Sequence, residues 1–130
     1  AGRCGPCAMK MVLVVDDEPV IRDLVADVLR DEGYAVVTAA DGREGLDLLA
    51  RERPDLVLMD VMMPGLDGRE AYLAMRSRPD LQEVPVVMMS AAVKPDGLDP
   101  TIAGYLPKPF DLDDLLALIA RLLRDSGNGQ

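Results

Sequence analysis

Four short apolar runs in this chain each stop at an acid, a hydroxyl or an ammonium. MVLVV stops at Asp16 and Asp17, DLVLM at Asp60, VPVVMM at Ser90, and GYLP runs into Lys108 and Pro109. Apolar runs of this length between turn signals read as strands buried on both faces, the kind found in parallel sheets. Strands of one parallel sheet point the same way, so their ends share one edge. Open α/β sheets bind ligands in the crevice at that carboxyl edge. Three carboxylates, a hydroxyl and an ammonium are therefore expected to meet there, although they lie far apart in sequence.

The stretches between the runs carry helical spacing. Pro19 suits the first turn of a helix, Asp17 and Glu18 favour its N-terminus, and Ile21, Leu24, Val25, Val28 and Leu29 recur on one face until Gly33 stops it. A short strand over Ala35 to Thr38 follows. Asp41 with Glu44 forms a capping box for a second helix ending before Pro54. The third strand is expected over Asp55 to Met59. Asp67 with Glu70 caps a third helix ending near Arg78 and Pro79, and the fourth strand is expected over Val84 to Met89. Pro95, Gly97, Pro100 and Gly104 leave room for only a turn or two of helix before a fifth strand over Gly104 to Leu106. Asp111 and Asp114 repeat the capping pattern ahead of an amphipathic helix carrying Leu112, Leu115, Leu116, Ile119, Leu122 and Leu123. Strand and helix alternate throughout, which is a doubly wound α/β pattern.

Composition narrows the function. The 130 residues fit one domain, 10–125, with a frayed end over 126–130, and 49% apolar content supports a real core. A net charge of −9 argues against nucleic-acid binding by this domain, and no apolar stretch is long enough for a membrane span. The chain has no histidine, which excludes histidine-ligated metals and Ser-His triads. Cys4 and Cys7 form Cys-Gly-Pro-Cys, similar to a thioredoxin redox motif, but no strand precedes it to place it. Residues 1–9 are read as a disordered tail or an expression remnant. Two free thiols and no export signal favour a cytoplasmic location.

The edge residues suit one chemistry. A carboxylate can accept a phosphoryl group as an acyl phosphate, and Asp60, at the end of a central strand, is the candidate nucleophile. Asp16 and Asp17 would repel an approaching phosphate and each other, so an all-oxygen site of this kind calls for Mg²⁺. Lys108 offers a mobile positive charge for a phosphoryl oxygen, and the Ser90 hydroxyl can donate to another. Each residue also has an ordinary structural role open to it. Asp17 and Ser90 can cap helices, Lys108 can be a solvated loop charge, and Tyr105 can be a plain strand aromatic or a switch. Capping alone, however, requires no lysine before a proline on that edge.

In order, VLVVDDEP, LMDVMMPGLDG, VVMMSA and YLPKPF resemble the signature segments of the response-regulator receiver domain (CheY-like, two-component signalling), over about residues 11 to 124. The resemblance implies a flavodoxin-like five-stranded parallel sheet in the order 2-1-3-4-5 with five helices. It implies Asp60 as phosphoacceptor, and Mg²⁺ (or Mn²⁺) held by Asp16, Asp17, Asp60 and the backbone carbonyl of Met62. Ser90 and Lys108 would bind the phosphoryl group, Tyr105 would be the aromatic switch, and the Lys108–Pro109 bond would be cis. The implied donor is a phosphohistidine on a sensor histidine kinase or histidine phosphotransfer protein, with an unknown output partner. The chain would catalyse only its own phosphorylation and dephosphorylation.

One departure stands out. Ser90 to Lys108 spans 18 residues, shorter than the family's usual interval, so a shortened or irregular fourth helix is expected. Two other classes compete. An aspartyl-phosphate hydrolase needs an acid two residues after its nucleophile, and Met62 stands there. A binding or dimerisation module of the same fold would carry the acidic site unused.

Overall fold

The outermost step of the fold is the pairing of β1 (Met11–Val15) with β2 (Ala35–Ala39) on one side and β3 (Leu56–Asp60) on the other. β4 (Val86–Ser90) and β5 (Gly104–Pro107) complete a sheet of order β2-β1-β3-β4-β5, every pair parallel. This is the order the resemblance implied. The computed structural model describes residues 10–61, 68–79, 83–90, 102–108 and 110–128. Among them the helices are α1 (Pro19–Asp31), α2 (Gly42–Glu52), α3 (Gly68–Arg76) and α4 (Leu112–Asn128). The shortened helix expected between β4 and β5 lies outside the described residues, as do Asp67 and Cys4–Cys7. No helix among the described residues is long and apolar enough to cross a membrane.

Strand alternation sorts the core into two layers. Leu13, Val15, Val57, Met59, Val86 and Met88 face α2 and α3 and pack with Leu49, Ala71, Tyr72 and Met75. Val12, Val14, Leu56, Leu58, Val87 and Met89 face α1 and α4 and pack with Val25, Leu29, Leu115 and Ile119. Both layers are fully buried along β3, the central strand. Each such Leu, Val or Met contributes roughly 1.5–3 kcal/mol. A sheet covered on both faces leaves its strand ends as the open ground for chemistry.

Local signals set the element ends. The Gly33 φ of 97° lets the chain leave α1 in a Schellman motif, with Gly33 N–H on the Arg30 carbonyl and Tyr34 N–H on that of Leu29. Asp41 caps α2 by accepting from Glu44 N–H at 2.9 Å. The return arm of this box lands one residue early, Glu44 Oε1 accepting from Ala40 N–H at 2.8 Å.

The strands from β2 to β5 each end one residue later than expected, and two of their starts differ for physical reasons. β3 starts after Asp55 because Asp55 is occupied at the foot of β1: its N–H donates to the Met11 carbonyl and its carboxylate accepts from Met11 N–H, both at 2.8 Å. β4 starts after Pro85, which has no N–H to give to a ladder and supplies only its carbonyl, to Val57 N–H. At their other ends β3 and β4 each reach one residue further, because Asp60 pairs with Met89 and Ser90 with Pro107, and these two become the last rungs of their strands. α4 carries helical backbone into the segment that begins at Ser126.

α2 packs closest to the sheet at Gly45, where an added Cβ would sit 2.9 Å from Cγ2 of the buried Val15. Gly45→Ala should therefore cost about 1–3 kcal/mol through this overlap, despite alanine's better helix propensity. Urea unfolding checks this, and a stabilised variant would contradict the packing.

Candidate functional site

The register brings the acids together. Val15 pairs with Met59 in the β1–β3 ladder, so Asp16 follows beside Asp60. β4 and β5 end together, Ser90 opposite Pro107, which delivers Lys108 to the same edge. Asp16 is fully buried and Asp60 is 5% exposed. Asp17 is exposed, yet one carboxylate oxygen from each of Asp16, Asp17 and Asp60 lies within 4.8 Å of the others.

A buried carboxylate persists only when hydrogen-bonded and paired. Asp16 meets both conditions: Oδ1 accepts from Glu18 N–H at 2.9 Å and Oδ2 from Lys108 Nζ at 2.9 Å. Its backbone is tied down as well, the N–H donating to the Ala39 carbonyl and the carbonyl accepting from Arg22 Nη1 at 3.1 Å. Lys108 Nζ also donates to Asp60 Oδ2 and to Glu18 Oε1, each at 3.3 Å. An ammonium has three N–H donors, and these three acceptors match them.

Burial pulls the Lys108 pKa down, but the hydrogen bond and Coulombic attraction of Asp16, followed by those of Asp60, outweigh it. The pKa stands above its ordinary value, so the ion pairs persist across the neutral range. They are lost only as pH rises through the raised value.

The Lys108 ammonium, even with the Arg22 guanidinium at the Asp16 carbonyl, does not balance Asp16, Asp17, Glu18 and Asp60. The remaining negative charge, held on hard oxygen donors a few ångströms apart, fits a divalent cation of the Mg²⁺ type, which prefers oxygen ligands in a small octahedron.

Several expected site residues fall elsewhere. Met62 and Pro109 lie outside the described residues. Ser90 closes β4 by its backbone, and its side chain is likewise outside them. Tyr105 is half-buried in β5, opposite Met88, against the core layer under α2 and α3. Glu18 was read from the sequence only as a helix N-terminal acid. It occupies the N-cap of α1 without a side-chain cap bond, its carboxylate being turned to Lys108 instead. The signal was available: Glu18 prolongs the Asp16–Asp17 run at an edge where Lys108 was the one expected cation.

Comparison with known proteins agrees with fold and site. Residues 12–120 match the model of the response regulator receiver domain, and the chain belongs to that family. Response regulator MprA of Mycolicibacterium vanbaalenii is 44% identical over 127 residues, covering 92% of this chain and 54% of the relative. The chain spans about half the length of the curated relatives it matches. Response regulator TrrA of Thermotoga maritima, solved in complex with Mg²⁺ and BeF, is 34% identical, with a TM-score of 0.80 over 88% of this chain and 99% of that one. The receiver domain of sensor histidine kinase PA1611 of Pseudomonas aeruginosa was solved with a magnesium ion in its active-site cleft. It is 31% identical, with a TM-score of 0.81 over 89% of this chain and 98% of that one.

The charge imbalance has a measurable consequence in metal-free protein. Lys108→Ala removes the ammonium shared by the buried carboxylates of Asp16 and Asp60 and should cost about 3 kcal/mol. Asp60→Asn removes one of the crowded charges and should cost less than about 1 kcal/mol. Urea unfolding with a chelator present checks the pair, and equal losses would contradict the imbalance. In the unmodified protein the Lys108 contribution should disappear only at alkaline pH, above the ordinary lysine range, while Lys108→Met lacks that step.

Proposed function

We propose that this domain is the phosphoacceptor of a two-component or phosphorelay pathway, and that Asp60 takes the phosphoryl group. The observation that carries this reading is Asp60 at the carboxyl edge, beside Asp16 and Asp17 and 3.3 Å from the Lys108 ammonium. The donor in this reading is a phosphohistidine on a sensor histidine kinase or histidine phosphotransfer protein, met in the cytoplasm. An Asp60 carboxylate oxygen bonds to phosphorus as the phosphorus–nitrogen bond of the imidazole breaks, and the electron pair of that bond leaves on the ring nitrogen.

Asp16, Asp17 and Asp60 would hold Mg²⁺ or Mn²⁺, with the Met62 carbonyl proposed as a further ligand. When bound, the ion supplies charge stabilisation for the phosphoryl oxygens. Lys108 would move from the acids to a phosphoryl oxygen, a shift that a flexible four-carbon stem permits. Ser90 is proposed to donate to another oxygen, and Tyr105 to follow by repacking at the edge of the core. That coupling would turn a local charge into two packings of β4 and β5.

A groove of about 420 Å³ has an apolar wall of Ile21, Leu24, Val25, Phe110 and Leu112 and is bordered by Lys108, Asp111 and Asp113. Val20 and Leu24 of α1 are 80% and 49% exposed. A protein presenting phosphohistidine to Asp60 must rest on a wall of this site, and the groove supplies an apolar wall continuous with it. We assign it as the donor's resting place.

Acetyl phosphate with Mg²⁺ should label the protein, and the label should disappear with a chelator or in Asp60→Asn. Labelling that survives Asp60→Asn would overturn the assignment. Leu24→Asp should slow transfer from a phosphorylated histidine partner by about tenfold while leaving acetyl phosphate labelling unchanged. Equal effects on both donors would remove the groove from the partner contact.

A further inference from the structure

Lys108 has three acceptors, and only two of them belong to the acidic trio. Asp16 and Asp60 each offer an oxygen to the proposed cation site, and Glu18 does not. A dication placed among Asp16, Asp17 and Asp60 competes with the ammonium for the Asp16 and Asp60 carboxylates, and it repels the ammonium directly. With Asp16 and Asp60 occupied, Glu18 is the one that remains of the three acceptors described for Lys108.

From this geometry we infer that Glu18 is a positioning residue: it retains the Lys108 ammonium at the mouth of the site while a divalent cation occupies Asp16 and Asp60. The inference rests on the proposed cation site and deepens it. Glu18 is well placed for the task. Its backbone is fixed by its N–H on Asp16 Oδ1 and by Arg22 N–H on its carbonyl, so the carboxylate swings from an anchored stem. Its carboxylate is free of capping duty, because the N-cap of α1 makes no side-chain bond. Its side chain is 58% exposed, against 0% for Asp16 and 7% for Asp60, so Glu18 can hold an ammonium displaced outward from the buried acids.

The consequence is a division of labour for one lysine. Without metal, Lys108 offsets the buried acids. With metal, Glu18 keeps it close to Asp60 and ready for an anionic group arriving there. Losing Glu18 raises the cost of displacing the ammonium, because the ammonium must then go to water. Mg²⁺ affinity should therefore fall by about three- to fivefold, the size expected for a partly exposed ion pair.

The test follows the Lys108 ammonium by its ¹H–¹⁵N resonance, identified by its loss in Lys108→Arg, during Mg²⁺ titration at low temperature. In the unmodified protein the resonance should shift on Mg²⁺ addition and remain visible. In Glu18→Ala it should disappear at saturating Mg²⁺ as the ammonium passes into fast exchange with water. Glu18→Gln, which keeps an acceptor oxygen without the charge, should preserve part of the signal. A signal in Glu18→Ala that matches the unmodified protein overturns the inference. So does an equal loss of affinity in both variants with the signal intact, since charge alone would then account for the effect. No Mg²⁺ response at Asp16, Asp17 and Asp60 in the unmodified protein overturns the cation site itself, and the inference with it.

Discussion

The contact between Lys108 and the buried pair Asp16 and Asp60 is the interaction on which the functional edge depends. Two carboxylates at the end of a close-packed sheet are costly to bury, and a single ammonium, hydrogen-bonded at 2.9 and 3.3 Å, is their described counterion. Because Asp16 also holds the first turn of α1 through Glu18 N–H, the same contact links the ends of β1, β3 and β5 to the start of a helix. The balance is incomplete, since Asp17 and Glu18 add negative charge that Lys108 does not offset. That incompleteness leaves an acidic cluster whose oxygen donors suit a divalent cation.

The rest of the fold serves to bring these groups to one place. All four strand pairs are parallel, so every strand delivers its last residue to the same side. The described helices pack on both faces of the sheet and leave its strand ends open. Small details sharpen the delivery: Asp55 clamps the foot of β1, and the ladder carries β3 and β4 through to the polar rungs Asp60 and Ser90. Gly45 lets α2 lie against Val15, directly before the acid pair.

Much of this was legible in the sequence because the signals are local and strong. Apolar runs closed by polar residues gave the strands and the edge, and the capping pairs and Gly33 gave the helix ends. The strand starts were missed by one or two residues where a side chain competes with the ladder, at Asp55, or where a donor is lacking, at Pro85. No pattern in the sequence expresses those effects without the neighbouring strand. Glu18 was missed for a related reason: an acid before a helix already has a sufficient explanation as a dipole partner, and only the position of Lys108, 90 residues away, assigns it another. Met62, Pro109 and residues 91–101 lie outside the described residues; the expectations for Met62 and Pro109 stand on resemblance, and that for 91–101 also on its prolines and glycine.

We propose that the charge now supplied by Lys108 marks the place of a dication and of a phosphoryl group on Asp60. A crystal structure with Mg²⁺ and beryllofluoride tests it most directly. The account predicts the ion on oxygens of Asp16, Asp17 and Asp60, beryllium bonded to an Asp60 oxygen, and Lys108 Nζ withdrawn from Asp16 onto a fluorine. An ion bound elsewhere, or Lys108 still paired with Asp16 and no adduct on Asp60, would contradict it.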